Sequence, residues 1–173
     1  MKKLLVLFTL LFCFSGIIYS DSVNVRVIVN SIDIVSSDGD TKTYTNPEDV
    51  PDIEYSSKII ANGMLILNFH SVGIVLKNKQ GLFMSKHPIS DVLIFSKVEN
   101  SRSGPILIYF ISTTIAQMSA DTVFSLKYDE KDNSVTMGII DGNAILKIDE
   151  EEIEFVTDET FKYKIKGETA DAI

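Results

Sequence analysis

The residue types that most often support catalysis or metal binding are sparse in this chain. Its only two histidines, His70 and His87, lie 17 positions apart. A metalloenzyme of the cupin type would need a close His-x-His pair together with a carboxylate and a third histidine. Because the sequence contains no such cluster, both histidines are interpreted as turn or surface residues, and no metal ligand is predicted.

Nucleophilic chemistry has no local signature in the sequence either. Serines are numerous, but no Gly-x-Ser-x-Gly elbow occurs. The members of a catalytic triad need to meet only in space, so the sequence alone leaves that chemistry open. No catalytic or cofactor-binding residue is predicted, and we expect that the protein is not an enzyme.

The densest group of carboxylates is the run Asp149–Glu152, with Glu154 close behind it. A calcium loop would need oxygen ligands spaced around a glycine turn. A continuous acidic run beside a strand is instead typical of a solvated sheet edge, where charge discourages pairing with another chain. The acids at Asp38-Gly39-Asp40 and at Asp129–Asp132 are interpreted as ordinary turns.

The first 20 residues have the pattern of a secretory signal peptide. Met1–Lys3 is a short basic start, Leu4–Ile18 is almost entirely apolar, and Ser20 is a small residue suited to the position before a cut at Asp21. A retained N-terminal anchor is the alternative, although the apolar run is short against a span of roughly 20 residues. The sequence therefore predicts a periplasmic or secreted protein with no stable membrane span after cleavage.

Charge and cysteine content limit the classes of partner and site. Cys13, the only cysteine, lies in the predicted signal peptide, so the mature chain would have neither a disulfide nor a thiolate site. Loss of Lys2 and Lys3 would leave 14 basic residues against 24 acidic ones, a net charge of −10. Such a domain repels nucleic acid, so no nucleic-acid partner is predicted.

Short apolar runs separated by turn signals predict an all-β fold, and no stretch shows helical periodicity. Val23–Val29 has a valine at every second position, with Asn24, Arg26 and Ile28 between them, and with Ile32 and Ile34 it predicts a strand pair or one bent strand. Thr41–Thr45 predicts a further short strand. Asn46–Asp52 predicts a loop, because its two prolines and three acids oppose a hydrogen-bonded ladder.

Later segments carry more specific expectations. Asn62-Gly63 and Asp141-Gly142 lie between apolar runs and predict tight hairpin turns. Ile106–Ile111 is fully apolar and predicts a strand that is buried on both faces, whereas Ile115–Met118 fits either a strand or one helical turn. Glu99–Pro105 is interpreted as the join between two β-rich halves. The predicted fold is a single all-β domain of short antiparallel strands, arranged as a roll or sandwich of these two halves.

The stretch from Thr122 to Ile148 contains three strand-like runs separated by two polar turns. A threonine-alanine strand precedes it, and a glycine opens its last run. The matching positions are Thr114, Ala116, Thr122, Phe124 and Gly142. In this order the residues resemble the FecR domain, an extracytoplasmic β-rich module. Ile53–Leu76 matches the earlier half of that family more loosely.

The resemblance covers most of Val25–Ile165, with departures at turns. Ala120-Asp121 stands where the family has Arg-Gly, and the glycines expected near Ser31 and at Ser56-Ser57 are missing. The family's signalling members have a cytoplasmic segment and a membrane span, whereas this chain resembles the stand-alone secreted members. The expected organisation is a signal peptide over residues 1–20, a domain over 21–166 that the resemblance implies to be FecR-like, and a flexible tail over 167–173.

Three functions are consistent with these observations. The first is a non-enzymatic module that binds an envelope or surface protein through exposed loops, or through a sheet edge by β-augmentation. The second is a small-ligand-binding β-barrel or cupin-type enzyme, which would need a deep apolar pocket with convergent polar groups. The third is a structural subunit of a surface polymer. We expect the first, in the bacterial cell envelope.

Overall fold

A computed structural model describes residues 23–110, 114–148 and 150–165 of the chain. The predicted signal peptide and the predicted tail lie outside these residues. The described part contains strands and one short 3₁₀ turn, Pro47–Asp49, and no helix in it is long and apolar enough to cross a bilayer. The strands are β1 Asn24–Val29, β2 Ile32–Val35, β3 Thr41–Tyr44, β4 Ser57–Ala61, β5 Met64–Phe69, β6 Val72–Leu76, β7 Gly81–Lys86, β8 Leu93–Lys97, β9 Ile106–Phe110, β10 Thr114–Met118, β11 Val123–Asp129, β12 Ser134–Asp141, β13 Asn143–Ile148, β14 Glu151–Val156 and β15 Thr160–Lys164.

The strands form two antiparallel sheets that pack face to face as a β-sandwich. The seven-stranded sheet has the order β1-β5-β6-β9-β10-β13-β14, and the eight-stranded sheet has the order β15-β12-β11-β8-β7-β4-β2-β3. The all-β antiparallel prediction is therefore confirmed, as a sandwich. Glu99–Pro105 connects β8 to β9, and each sheet takes strands from both sides of it. In both sheets the strands before this segment form one contiguous block and those after it form the other, so the two halves of the sequence lie side by side.

From β5 to β14 the chain makes two strands in one sheet before it crosses to the other. Hairpin turns such as the one at His70-Ser71 lie at one end of the sandwich, and the sheet-switching corners lie at the other. Neighbouring corners are joined by backbone hydrogen bonds. The amide of Asn62 donates to the carbonyl of Ser31 (2.9 Å), and the amide of Arg102 donates to the carbonyl of Lys79 (2.7 Å). The corners therefore support one another along this end of the molecule.

Two predicted hairpin turns are sheet-switching corners, so that prediction was wrong. Asn62-Gly63 joins β4 of the eight-stranded sheet to β5 of the seven-stranded sheet, and Asp141-Gly142 lies between β12 and β13, again in different sheets. Glycine serves a different purpose at each. A Cβ on Gly63 would lie 1.9 Å from the carbonyl oxygen of Val29, whereas Gly142 has φ +96°, which L side chains rarely adopt.

The space between the sheets is filled by apolar side chains that alternate along each strand. Phe95 and Phe124 stack with their ring centroids 5.1 Å apart, and Phe110 meets the edge of Phe161 at 5.4 Å. Full burial of one such side chain stabilises the fold by about 1.5–3 kcal/mol. The strand predicted at Thr41–Thr45 is confirmed over Thr41–Tyr44, and Ile115–Met118, which fitted either a strand or a helical turn, belongs to strand β10.

Candidate functional site

The two histidines are held by separate local contacts. His70 lies in the turn between β5 and β6, where its ring stacks on Tyr128 with centroids 3.7 Å apart. His87 follows β7, and its Nδ1 accepts a hydrogen bond from the amide of Ile89 (3.3 Å). Among the described residues, no group of three or more His, Cys, Asp or Glu side chains could hold a metal ion.

The acidic run lies on an edge strand, where the sequence places it. Strand β14 is the last strand of the seven-stranded sheet, and Glu151, Glu152 and Glu154 are exposed on it. Glu152 pairs with Lys147 of the neighbouring strand (2.5 Å). A carboxylate oxygen of Glu159 accepts the amide of Val156 (2.9 Å), so one edge amide is already occupied. Residue 149 lies outside the described residues.

The outer face of the seven-stranded sheet is apolar over five neighbouring strands. Side chains that point away from the core form a direct cross-strand row from β1 to β9, because Val27 pairs with Ile66, Ile66 with Val75, and Val75 with Leu107. Further apolar side chains flank this row on both sides. We call this surface the apolar face; its members are Val27, Val29, Met64, Ile66, Val75, Leu107, Tyr109 and Ile115.

The apolar face explains why one burial prediction was wrong. Strand β9 was expected to be buried on both faces, but Tyr109 is 40% exposed, whereas Ile108 and Phe110 are buried. Leu107 and Tyr109 face outward and are apolar because they belong to the apolar face. The fully apolar β9 sequence was therefore the available signal of this surface, although it was attributed to two-sided burial.

A groove crosses the apolar face above Gly73. Gly73 lies between Asn68 of β5 and Tyr109 of β9, and its missing side chain leaves the floor open. The groove has a volume of about 510 Å³, and its walls include Met64, Ile66 and Val75. An added Cβ on Gly73 would meet only Ile66 Cγ2, at 3.7 Å. The floor therefore has room for a further methyl group.

Arg26 stands at the β1 side of this groove. The register of β1 shifts between Val25 and Val27, so Arg26 is the extra residue of a β-bulge. Bulges of this kind re-aim a side chain and are frequent next to functional sites. Within the described part of the chain, the Arg26 side chain makes no ion pair or hydrogen bond. An exposed guanidinium thus lies beside an apolar groove.

The outer face of the eight-stranded sheet differs in character. Cross-strand neighbours there include Ser125 opposite Ile94 and Lys127 opposite Thr136. Lys58 of β4 is likewise exposed on it. Hydroxyl and charged groups therefore interrupt its apolar positions, so the apolar face is a property of one sheet and not of the whole surface.

Comparison with protein-family models, with curated proteins and with solved structures returned no significant match. The resemblance to the FecR domain thus stays a prediction.

Proposed function

We propose that this chain is a non-enzymatic protein-binding module of the cell envelope, periplasmic or secreted and FecR-like. Its contact surface would be the apolar face, and its partner an envelope or surface protein. The observation that carries the proposal is the uninterrupted apolar row Val27–Ile66–Val75–Leu107 on an outer sheet face. Large contiguous apolar patches are rare on monomeric soluble proteins and mark interaction sites.

The width of the apolar face suits the centre of a protein interface. Five strands about 4.8 Å apart give it a width of roughly 20 Å, with Val75 in its central row only 8% exposed. A standard interface covers about 800 Å² on each partner and has a polar rim. Asn68 and Gln117 lie at the border of the apolar face and supply part of such a rim.

The free sheet edges support this role less well than the apolar face does. Acidic side chains line a hollow beside β3, including Asp38, Asp40 and Glu54, and the opposite end of the sandwich carries the acids of β14. Charged side chains at both ends, including Lys162 and Lys164 on the edge strand β15, discourage pairing of the sheet edges. The edge strand β1 is interrupted by its bulge as well. These features disfavour both edge augmentation and a linear polymer.

A small-ligand or cupin-type function would require a deep pocket with convergent polar groups. The groove above Gly73 opens on the surface, and Arg26 is the only charged side chain that lines it among the described residues. A wide apolar surface with one peripheral charge is better suited to a protein partner.

Site-specific crosslinking tests the proposal. A photoreactive phenylalanine at Leu107 lies on the apolar face, and one at Ser96 on the outer face of the eight-stranded sheet is the matched control. We expect Leu107 to give a covalent adduct with one envelope protein and Ser96 to give none. With that protein purified, Leu107→Glu should weaken binding at least tenfold, while Ser96→Glu should not.

Two outcomes would contradict the proposal. Identical adducts from both positions would show that the apolar face is not the contact surface. A concentration-dependent dimer in light scattering that Leu107→Glu abolishes would replace the envelope partner with a second copy of this chain. Circular dichroism of each variant establishes that the fold is retained.

A further inference from the structure

We infer that the groove beside Arg26 binds a carboxylate attached to an apolar side chain in a peptide segment of the partner protein. This inference rests on the proposed function and makes it more specific. The apolar face supplies the surface, and the groove would determine which segment of the partner is accepted.

Arg26 places a positive charge at the groove. The chain carries 24 acidic against 16 basic residues, yet Arg26 has no ion-pair partner within its described part. Glu48 and Asp49 lie across a neighbouring hollow, but neither is within ion-pair distance of Arg26. Asp49 instead accepts a hydrogen bond from Asn46 (3.0 Å). The guanidinium is therefore available to an incoming group.

A β-bulge sets the position of this charge. The bulge takes Arg26 out of the regular alternation of β1, and the residue lines the same groove as Met64, Ile66 and Val75. Charge-assisted hydrogen bonds are stronger where apolar walls reduce the access of water. Because Arg26 itself is exposed, the ion pair alone would add little, and the apolar walls would strengthen it by burying the group that carries the carboxylate.

The guanidinium and the apolar groove together determine which kind of ligand would fit. Guanidinium is planar and binds a carboxylate through two parallel hydrogen bonds. The groove floor at Gly73 admits an apolar side chain, and Tyr109 offers a half-exposed ring beside it. A single negative charge suits this site, because Glu48 and Asp49 would repel a ligand with several. A free C-terminus, or an acidic residue next to an apolar one, meets these requirements.

The test uses peptides, since the partner is unidentified. A library of random heptapeptides with free C-termini is displayed and selected on the intact protein, and the selected sequences are synthesised in carboxylate and amide forms. Fluorescence anisotropy gives the Kd of each. We expect selected peptides to combine apolar residues with a carboxylate, and its replacement by an amide to weaken binding at least tenfold.

Variants of the protein assign this preference to the groove. Arg26→Gln should abolish the difference between carboxylate and amide peptides, whereas Arg102→Gln, at the only other arginine, should preserve it. Gly73→Ala should weaken both peptides severalfold without loss of fold, because its methyl group enters the groove in ordinary contact with Ile66 (3.7 Å).

The results that overturn the inference differ from those that overturn the proposed function. If Leu107→Glu abolishes partner binding while Arg26→Gln and Gly73→Ala leave it unchanged, the apolar face is the contact surface and the carboxylate site is refuted. Selection of peptides without a carboxylate preference refutes it as well. Competition with laurate is the last test. If laurate displaces every peptide at a concentration below the peptide Kd, the groove binds a lipid and not a peptide.

Discussion

Replacement of Gly63 by alanine tests how closely the sheet-switching corners pack. Gly63 lies where the chain leaves β4 for β5, and its Cα faces the end of β1. An ideal Cβ there would lie 1.9 Å from the carbonyl oxygen of Val29 and 2.9 Å from its carbonyl carbon. The closest obstacle is the Val29 backbone, which cannot rotate away as the third neighbour, the Asn30 side-chain nitrogen at 3.0 Å, could.

The expected cost follows from these distances. Carbon and oxygen in close contact stay about 3.3 Å apart, so one backbone must move by roughly 1.4 Å. The corner resists this movement, because the Asn62 side chain donates to Ser31 Oγ (3.1 Å) and to Asp33 Oδ2 (2.8 Å). Overpacking typically costs about 1–3 kcal/mol and occasionally more. With two fixed backbones we expect a loss of about 3 kcal/mol or more.

Urea denaturation provides the measurement. The protein has no tryptophan but has six tyrosines, so circular dichroism and tyrosine fluorescence can follow unfolding. A loss of about 3 kcal/mol lowers the urea midpoint by about 1–3 M. Gly73→Ala is the control, because its Cβ has an ordinary contact at 3.7 Å, and its stability should stay within about 1 kcal/mol of the wild type. Equal midpoints for Gly63→Ala and the wild type would refute the reasoning.

Three further substitutions test separate contacts. Thr122 is 3% exposed, and its Oγ1 donates to the carbonyl of Asn143 (2.7 Å) and accepts a hydrogen bond from the Asn143 amide (3.3 Å). Thr122→Val should therefore lower the free energy of unfolding, measured in urea, by about 1–3 kcal/mol. An unchanged urea midpoint would contradict this role. The buried Ser134 hydroxyl has no hydrogen-bond partner in the described structure, so Ser134→Ala should be at least as stable as the wild type, and a large loss would reveal a missed partner. A hydrogen bond from Lys162, together with its charge, lowers the pKa of Asp132, so the stabilisation is present above the ordinary range of aspartate and is lost as pH falls through the lowered pKa. Both groups are exposed, so the stability difference between wild type and Asp132→Asn should be small at neutral pH and vanish in acid. A stability difference that grows on acidification would contradict the lowered pKa of Asp132.

Sequence patterns predicted the strands better than their connections. The threonines and tyrosine of Thr41–Tyr44 indicated a strand, because such residues favour extended backbone. Ile115–Met118 fitted a strand or a helical turn, and its pairing in β10 decides for the strand. Asn62-Gly63 and Asp141-Gly142 were located correctly as reversals but were assigned to the wrong kind of connection. Turn residues satisfy the local backbone, whereas the sheet that the next strand joins depends on partners far along the chain. Local turn chemistry cannot distinguish a hairpin from a sheet-switching corner.

The candidate site was missed for a related reason. Leu107 and Tyr109 were expected inside, because an apolar run looks the same whether its second face is covered or exposed. Arg26 occurs among alternating valines, and nothing in that spacing indicates the bulge that takes it out of register. Gly73 lies inside strand β6, and no local pattern marks it as the floor of a groove. The groove depends on the pairing of β1, β5, β6 and β9, which the sequence does not specify locally.

The alternation of hairpins between the two sheets limits how far apart paired residues lie. The most distant strand partners, Asn24 and Asn68, are 44 positions apart, and later hairpins add beside earlier ones in chain order. The sandwich therefore grows in one direction, as a solenoid does, and the stability of each layer depends mainly on its immediate neighbours. Such an architecture can be lengthened or shortened by whole four-strand increments. The apolar face, confined to β1 through β10, would be unaffected by such changes at the C-terminal end.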